Sequence, residues 1–250
     1  MFPGSCSPAM FPGSCSISTT FGCIQNQSSV GSGSRHGIGD IATGSTLPQQ
    51  FVGSSNVDQN MNRAVIDFLL ARRSSKLALM QEPGPSAAEL NTILTAAARV
   101  PDHKKLIPWR FVVFEGDARV AFGERLAEIC AAEEDEDASP VRLETERQRF
   151  LRAPLVVCIV YAPRLDAPVP EIEQILSTGA VCQNLCLAAN ALGYGTGWIT
   201  EWYAFNRSVG EIIGLADHEQ VAGFVYVGTA SEKQPDRDRP DLGEIVSRWS

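Results

Sequence analysis

Gln183-Asn184-Leu185-Cys186-Leu187-Ala188-Ala189-Asn190-Ala191-Leu192-Gly193-Tyr194-Gly195-Thr196-Gly197-Trp198 is an apolar, small-residue run that enters a Gly-Tyr-Gly-Thr-Gly segment and stops at a tryptophan. Its first part has helix-forming composition, and the pattern upstream extends it to a predicted inner helix over 175–192. Gly193, Gly195 and Gly197 read as a turn in which backbone can approach a flat ligand with no side chain in the way. The spacing is G-x-G-x-G rather than G-x-G-x-x-G, and it follows a helix, whereas a dinucleotide-binding fingerprint follows a strand. A Rossmann site is therefore excluded here.

Outward from this stretch, helices and strands alternate. Leu155 to Ala162 is a short, continuous apolar run, the pattern of a strand buried on both faces, and Val221 to Gly228 reads as the last core strand. Phe111 to Phe114 is β-branched and aromatic and ends at Glu115-Gly116-Asp117, so it too reads as a strand. Val65, Phe68 and Leu69, then Leu90, Ile93, Leu94 and Ala97, recur at helical spacing and predict helices over 62–72 and 86–98. Further helices are expected over 118–132, 142–151 and 208–213, the second a surface helix of alternating charges that stops at Ala153-Pro154 because the residue before proline is driven out of the helical region. The acidic run Glu133 to Asp137 reads as a solvated loop, since adjacent like charges repel. Strands separated by longer helical segments predict a sheet covered by helices on both faces, α/β or α+β.

Composition narrows the function classes. The chain has 250 residues, 44% of them hydrophobic and 20% charged, enough for one substantial core. A net charge of -8 with no dense basic cluster leaves no nucleic-acid footprint. No apolar run reaches the eighteen or so residues of a membrane span, so a cytoplasmic protein is expected. Seven cysteines, an odd number, argue against a disulfide framework, and Cys182 and Cys186 lack other ligands at metal spacing. Residues 1–60 are rich in Ser and Gly, carry almost no charge and repeat Met-Phe-Pro-Gly-Ser-Cys-Ser at 1–7 and 10–16. They read as a disordered extension without targeting character, with a folded domain over 61–250, and Met61, which opens the first periodic segment, is a candidate native start.

Three segments carry candidate chemistry. Arg72, Arg73, Ser74 and Lys76 gather cations and hydroxyls at a helix end, where a phosphate or electron-rich ring could collect charge-assisted hydrogen bonds. The plain alternative is a helix-dipole complement worth a few tenths to about 1 kcal/mol. Pro101 to Trp109 is an irregular segment before a strand, the usual mount for binding groups, and it holds His103. No serine or cysteine has an identifiable base beside it, which argues against hydrolase chemistry.

Taken in order, Arg72-Arg73-Ser74-x-Lys76, Arg99-x-Pro101-x-His103, Pro108-Trp109-x-Phe111, Gln183-Asn184-Leu185, Gly193-x-Gly195-x-Gly197-Trp198 and Val225-x-Val227-Gly228 resemble the nitroreductase family over about residues 61–245. The chain is most similar to its short, minimal flavin-dependent members. The resemblance implies an α+β fold with a central mixed, mainly antiparallel sheet flanked by helices, assembled as a domain-swapped homodimer with FMN at the subunit interface. It implies FMN contacts at Arg72, Arg73, Ser74 and Lys76, at Arg99 and His103, which would serve the opposite subunit's flavin, and at Trp198, Ile199 and Thr200. Ile199 stands where a polar side chain is frequent in the family. Ala188, Ala189, Asn190, Ala191, Leu192 and Gly193 match a stretch that meets NAD(P)H, and Lys233, Arg237 and Arg239 are three candidates for the FMN phosphate. The implied activity is a ping-pong NAD(P)H oxidoreductase acting on a nitroaromatic, quinone or similar small electron acceptor. A flavin-binding protein without turnover and a same-fold enzyme acting on an enone or halogenated aromatic are the alternatives.

Overall fold

The computed structural model describes residues 56–250. Helix α1 (Asn56–Ala71) leads through a 3₁₀ turn to the two-residue strand β1 (Met80–Gln81). Then follow α2 (Ala87–Ala97), β2 (Trp109–Glu115), α3 (Asp117–Ile129), α4 (Pro140–Gln148), β3 (Leu155–Tyr161) and the long α5 (Glu171–Ala191). The chain continues through β4 (Gly195–Ile199), α6 (Arg207–Ile213), β5 (Gln220–Ala230) and the short α7 (Leu242–Ile245). The strands run in the order β1-β5-β3-β2, with β4 also on β5, and all these pairings are antiparallel.

Period-two alternation along the strands builds two cores. Val156, Cys158 and Val160 of β3 join Phe224 and Tyr226 of β5 under α3 and α6, around Phe122, Leu126 and Phe150. Leu155, Val157 and Ile159, with Val225 and Val227, face α2 and α5 through Ile93, Ala97, Val181 and Leu185. All seven β3 residues are buried, which explains the unbroken apolar run, each large side chain contributing roughly 1.5–3 kcal/mol against exposure.

Helix ends follow local chemistry. Ser86 and Glu89 form a capping box at α2, Ser139 with Pro140 starts α4, and Asn206 caps α6, which Gly214 ends in the left-handed region at φ 76°. Three expectations change. Residues 195–199, read as a turn, form a strand, because five consecutive pairings from Gly195↔Gly228 to Ile199↔Phe224 overrule the low strand propensity of glycine. The acidic run is no simple solvated loop either. A π-turn over Cys130–Glu134 ends the α3 segment, and Glu133 and Glu134 accept hydrogen bonds from Asn206, Glu133 also from Ser208. Helix α1 begins at Asn56, so the boundary drawn at Met61 falls inside it. Residues 56–60 of the extension are thus helical rather than disordered, while the repeat and the rest of the extension, residues 1–55, lie outside the described residues. Among the described residues no helix is long and apolar enough to cross a membrane.

Candidate functional site: a cationic cleft beside β4

The segment after α1 is held against β4 by backbone. Arg72 N–H closes the helix on Phe68 O at 3.0 Å, and Ser75 N–H donates to Thr196 O at 2.8 Å. Contact is close enough to require glycine. A Cβ on Gly195 would lie 2.6 Å from Ser75 Oγ and 2.9 Å from Ala230 Cβ, and one on Gly197 2.7 Å from Leu77 Cδ2. Gly195 and Gly197 therefore admit the chain's own loop rather than a flat ligand, which corrects the reading of this motif. Gly193 differs: at φ 91°, with open space around its Cα, it turns the chain out of α5.

Thr196 and Trp198 point to the other side of β4. Thr196 is buried beside the Asn190 amide at 3.1 Å, and that amide also donates to Tyr194 O at 2.8 Å. Trp198 is 41% exposed, and its Nε1 donates to Ala222 O at 3.3 Å. Ile199 packs against the core, while Thr200 is exposed at the strand's end.

A cavity of about 240 Å³ opens beside this joint, lined by Arg72, Arg73, Ser75, Asn190, Gly193 and Lys233 among others. A second hollow of about 380 Å³ shares Arg73 and Lys233. Arg73 Nε donates to Pro235 O at 2.9 Å. Arg72, Lys76 and Lys233 have no carboxylate within ion-pair distance among the described residues, whereas Arg110, Arg147, Arg149, Arg152 and Arg239 all do. Cations gathered without counter-charge are a better anion receptor than dipole complements need to be. The cavity also carries Glu232, so its field is not purely positive. Of the three basic candidates after the last core strand, Lys233 lines the cavity, while Arg239 is committed to Asp236 at 2.7 Å and to Leu70 O at 3.0 Å.

The stretch from Ala188 to Gly193 divides by position. Ala189 is core, Asn190 and Gly193 reach the cavity, and Leu192 is exposed. Burial pushes the thiols up, Cys182 to about 12 and Cys186 in the same direction, so these are inert small hydrophobes rather than nucleophiles.

Arg99 and His103 are not brought to this cavity. His103 lies beside a hollow of about 350 Å³ against the first half of α5, next to Glu173 and Ser177. From Ser177 to Asn190 is 13 residues of helix, about 20 Å at 1.5 Å per residue. Larger cavities of about 580 and 520 Å³ lie on the α6 side and beside α4. They do not hold the unpaired cations, and the arginines of the second are saturated by carboxylates, so size is a poorer guide here than charge.

Beyond Thr200 lies a buried ionic network that the sequence did not disclose. Glu146 is fully buried and accepts from Arg149 at 2.9 Å and from Trp202 Nε1 at 2.9 Å. Glu201 accepts from Arg149 at 2.6 Å and Arg152 at 3.0 Å, and Arg152 reaches the hydroxyls of Tyr203 and Tyr226. Burial by itself would raise the Glu201 carboxyl, but Arg152 and Arg149 outweigh it and hold it below the usual carboxylate range. Burial pushes the Tyr203 hydroxyl far up, so it stays neutral. The network anchors the end of β4, and no local pattern marks its members.

A two-core antiparallel α+β domain with a cationic cleft between a helix end and a glycine-bearing strand defines the class. The chain belongs to the nitroreductase family, whose model matches residues 69–229. It is 34% identical over 169 residues to the "Putative NAD(P)H nitroreductase YdjA" of Escherichia coli, covering 67% of this chain and 89% of that one. The fold is similar to the nitroreductase-like family protein of Bacillus cereus (TM-score 0.61, 20% identity, 74% of this chain and 95% of that one). It is also similar to a nitroreductase with bound FMN from Bacteroides fragilis (TM-score 0.55, 19% identity, 74% of this chain and 98% of that one).

Proposed function

We propose that this chain is an FMN-dependent NAD(P)H oxidoreductase that reduces a nitroaromatic, quinone or similar small acceptor in the cytoplasm. The observation that carries the reading is the cleft beside β4, where Arg72, Arg73 and Lys233 meet a strand whose Trp198 ring stays half open to solvent. The FMN in the Bacteroides relative and the NAD(P)H in the Escherichia coli relative's name support the same cofactor pair.

The residues fit the group. Arg72, Arg73 and Lys233 would take the phosphate and Lys76 the electron-rich ring edge, through charge-assisted hydrogen bonds that need no competing carboxylate to be displaced. Ser74 is exposed beside them, and Trp198, Ile199 and Thr200 would border the ring. When bound, FMN supplies hydride acceptance and electron delivery, so the chain needs no acid–base pair of its own. The chain's part is to bind, to orient, and to set positive charge beside a group that becomes more negative on reduction. Asn190 and Gly193, which line the cleft, would meet NAD(P)H with Ala188, Ala191 and the exposed Leu192, while the buried Ala189 would only support them from the core.

The separation of His103 from the cleft fits a homodimer in which Arg99 and His103 complete the partner copy's site. Exposed apolar residues support it: Val65, Ile66, Leu69 and Leu70 on α1 and Ile172, Ile175 and Leu176 on α5. The test is the visible spectrum of the purified protein before and after anaerobic NADPH, followed by steady-state oxidation with a quinone. The expected result is a flavin spectrum that bleaches, and turnover. Bound flavin that neither bleaches nor turns over would mean a flavin store, and no flavin after incubation with FMN would sink the reading altogether.

A further inference from the structure

The loop that carries His103 is held in an unfavourable conformation. Lys104, Lys105 and Ile107 have φ of 61°, 54° and 51°, in the left-handed region that side-chain-bearing residues rarely adopt. Such strain persists only where the surroundings over-determine it. They do so here through side chains that bond the loop's main chain. Asn184 donates to Arg99 O, Ser177 to Pro101 O, Arg164 to Leu106 O and Thr178 to Pro108 O, while Asp102 accepts from Ile107 N–H. Among the described residues one contact breaks the pattern by holding a loop side chain from outside the loop: Glu173 Oε2 lies 2.7 Å from His103 Nδ1.

That pair is 51% and 43% exposed, and ion pairs this open contribute little to folding. A bond to one ring nitrogen does something else, because it fixes the tautomer and the rotation of the ring. With Nδ1–H donated to Glu173, Nε2 is the nitrogen left to meet a ligand. The other nearby acid, Asp102, is committed to Ile107 N–H at 2.8 Å and does not compete. We infer that Glu173 is a positioning residue: it holds the His103 imidazole with Nε2 presented to the flavin. This rests on the proposed role of His103 at the partner copy's FMN.

The test uses the full chain labelled with ¹⁵N-histidine, whose three histidines, His36, His103 and His218, are assigned by difference with His103→Ala. Ring-nitrogen spectra are recorded with and without FMN, and FMN affinity is measured by flavin fluorescence. Expected is the Nδ1–H form of His103 in the native protein and in Glu173→Gln, and the Nε2–H form favoured in water in Glu173→Ala. Glu173→Ala should raise the Kd for FMN roughly tenfold, His103→Ala at least as much, and the double variant no more than His103→Ala alone. An unchanged tautomer in Glu173→Ala, or additive losses in the double variant, would overturn the inference. No effect of His103→Ala on FMN would remove His103 from the flavin site and overturn the presentation to flavin, while the FMN-free spectra would still decide whether Glu173 sets the ring.

Discussion

Gly195 and Gly223 both sit where one methyl group would collide, and they differ in what can yield. A Cβ at Gly195 meets Ser75 Oγ and Ala230 Cβ within 3 Å, in a joint fixed by the bond from Ser75 N–H to Thr196 O. Gly195→Ala should therefore cost about 1–3 kcal/mol by overpacking and move Arg72 and Arg73 with the loop. A Cβ at Gly223 would lie 2.0 Å from Trp198 Nε1, but that indole is half exposed and can swing outward. Gly223→Ala should change stability by less than about 1 kcal/mol, red-shift the tryptophan emission and weaken FMN binding. Urea unfolding and a flavin titration on both variants check the contrast, and equal stability losses would show that the Trp198 ring cannot move.

Among the elements, the end of β4 is tied to α4 and its following 3₁₀ turn by charge as well as by the packing of Phe150 against Tyr203. Glu146 is fully buried with Arg142, Arg149 and Trp202 around it. Glu146→Ala would leave Trp202 Nε1 and Arg142 without their acceptor and Arg149 with Glu201 alone, at about 3–5 kcal/mol, readable as a fall in the urea midpoint. Glu201 adds a pH signature. Its folded value is depressed, as is that of Glu219, which accepts from Arg110. The stability of such carboxylates is present above the ordinary value near 4.3 and is lost as pH falls through the folded value. Unfolding free energy should thus fall with acid below about pH 4, less steeply in Glu201→Gln. A parallel decline in the two proteins would contradict the assignment.

At the scale of the molecule, the proposed homodimer would cover the exposed apolar faces of α1 and α5. Sedimentation should give twice the subunit mass of 27.0 kDa. Ile66→Glu, at a side chain already exposed in the subunit, should yield a folded monomer that has lost most of its FMN. A monomeric native protein that binds FMN fully would refute the two-copy site. How far such features could be read beforehand depended on the range of the interactions behind them. The apolar run of β3, the helical spacing of α2, the stop before Pro154 and the Arg72-Arg73-Ser74 cluster at a helix end all express short-range rules, so the sequence determined the fold class and half of the cleft. Only the tertiary structure decided that 195–199 is a strand, since glycine has no local strand preference and five pairings to β5 supply it. It also decided that Lys233 rather than Arg239 reaches the cavity, and that Glu173 holds a histidine 70 residues away. It alone buried Glu146. Those outcomes turn on which distant groups share a low-dielectric neighbourhood, and chain spacing carries no record of that until the sheet brings them together.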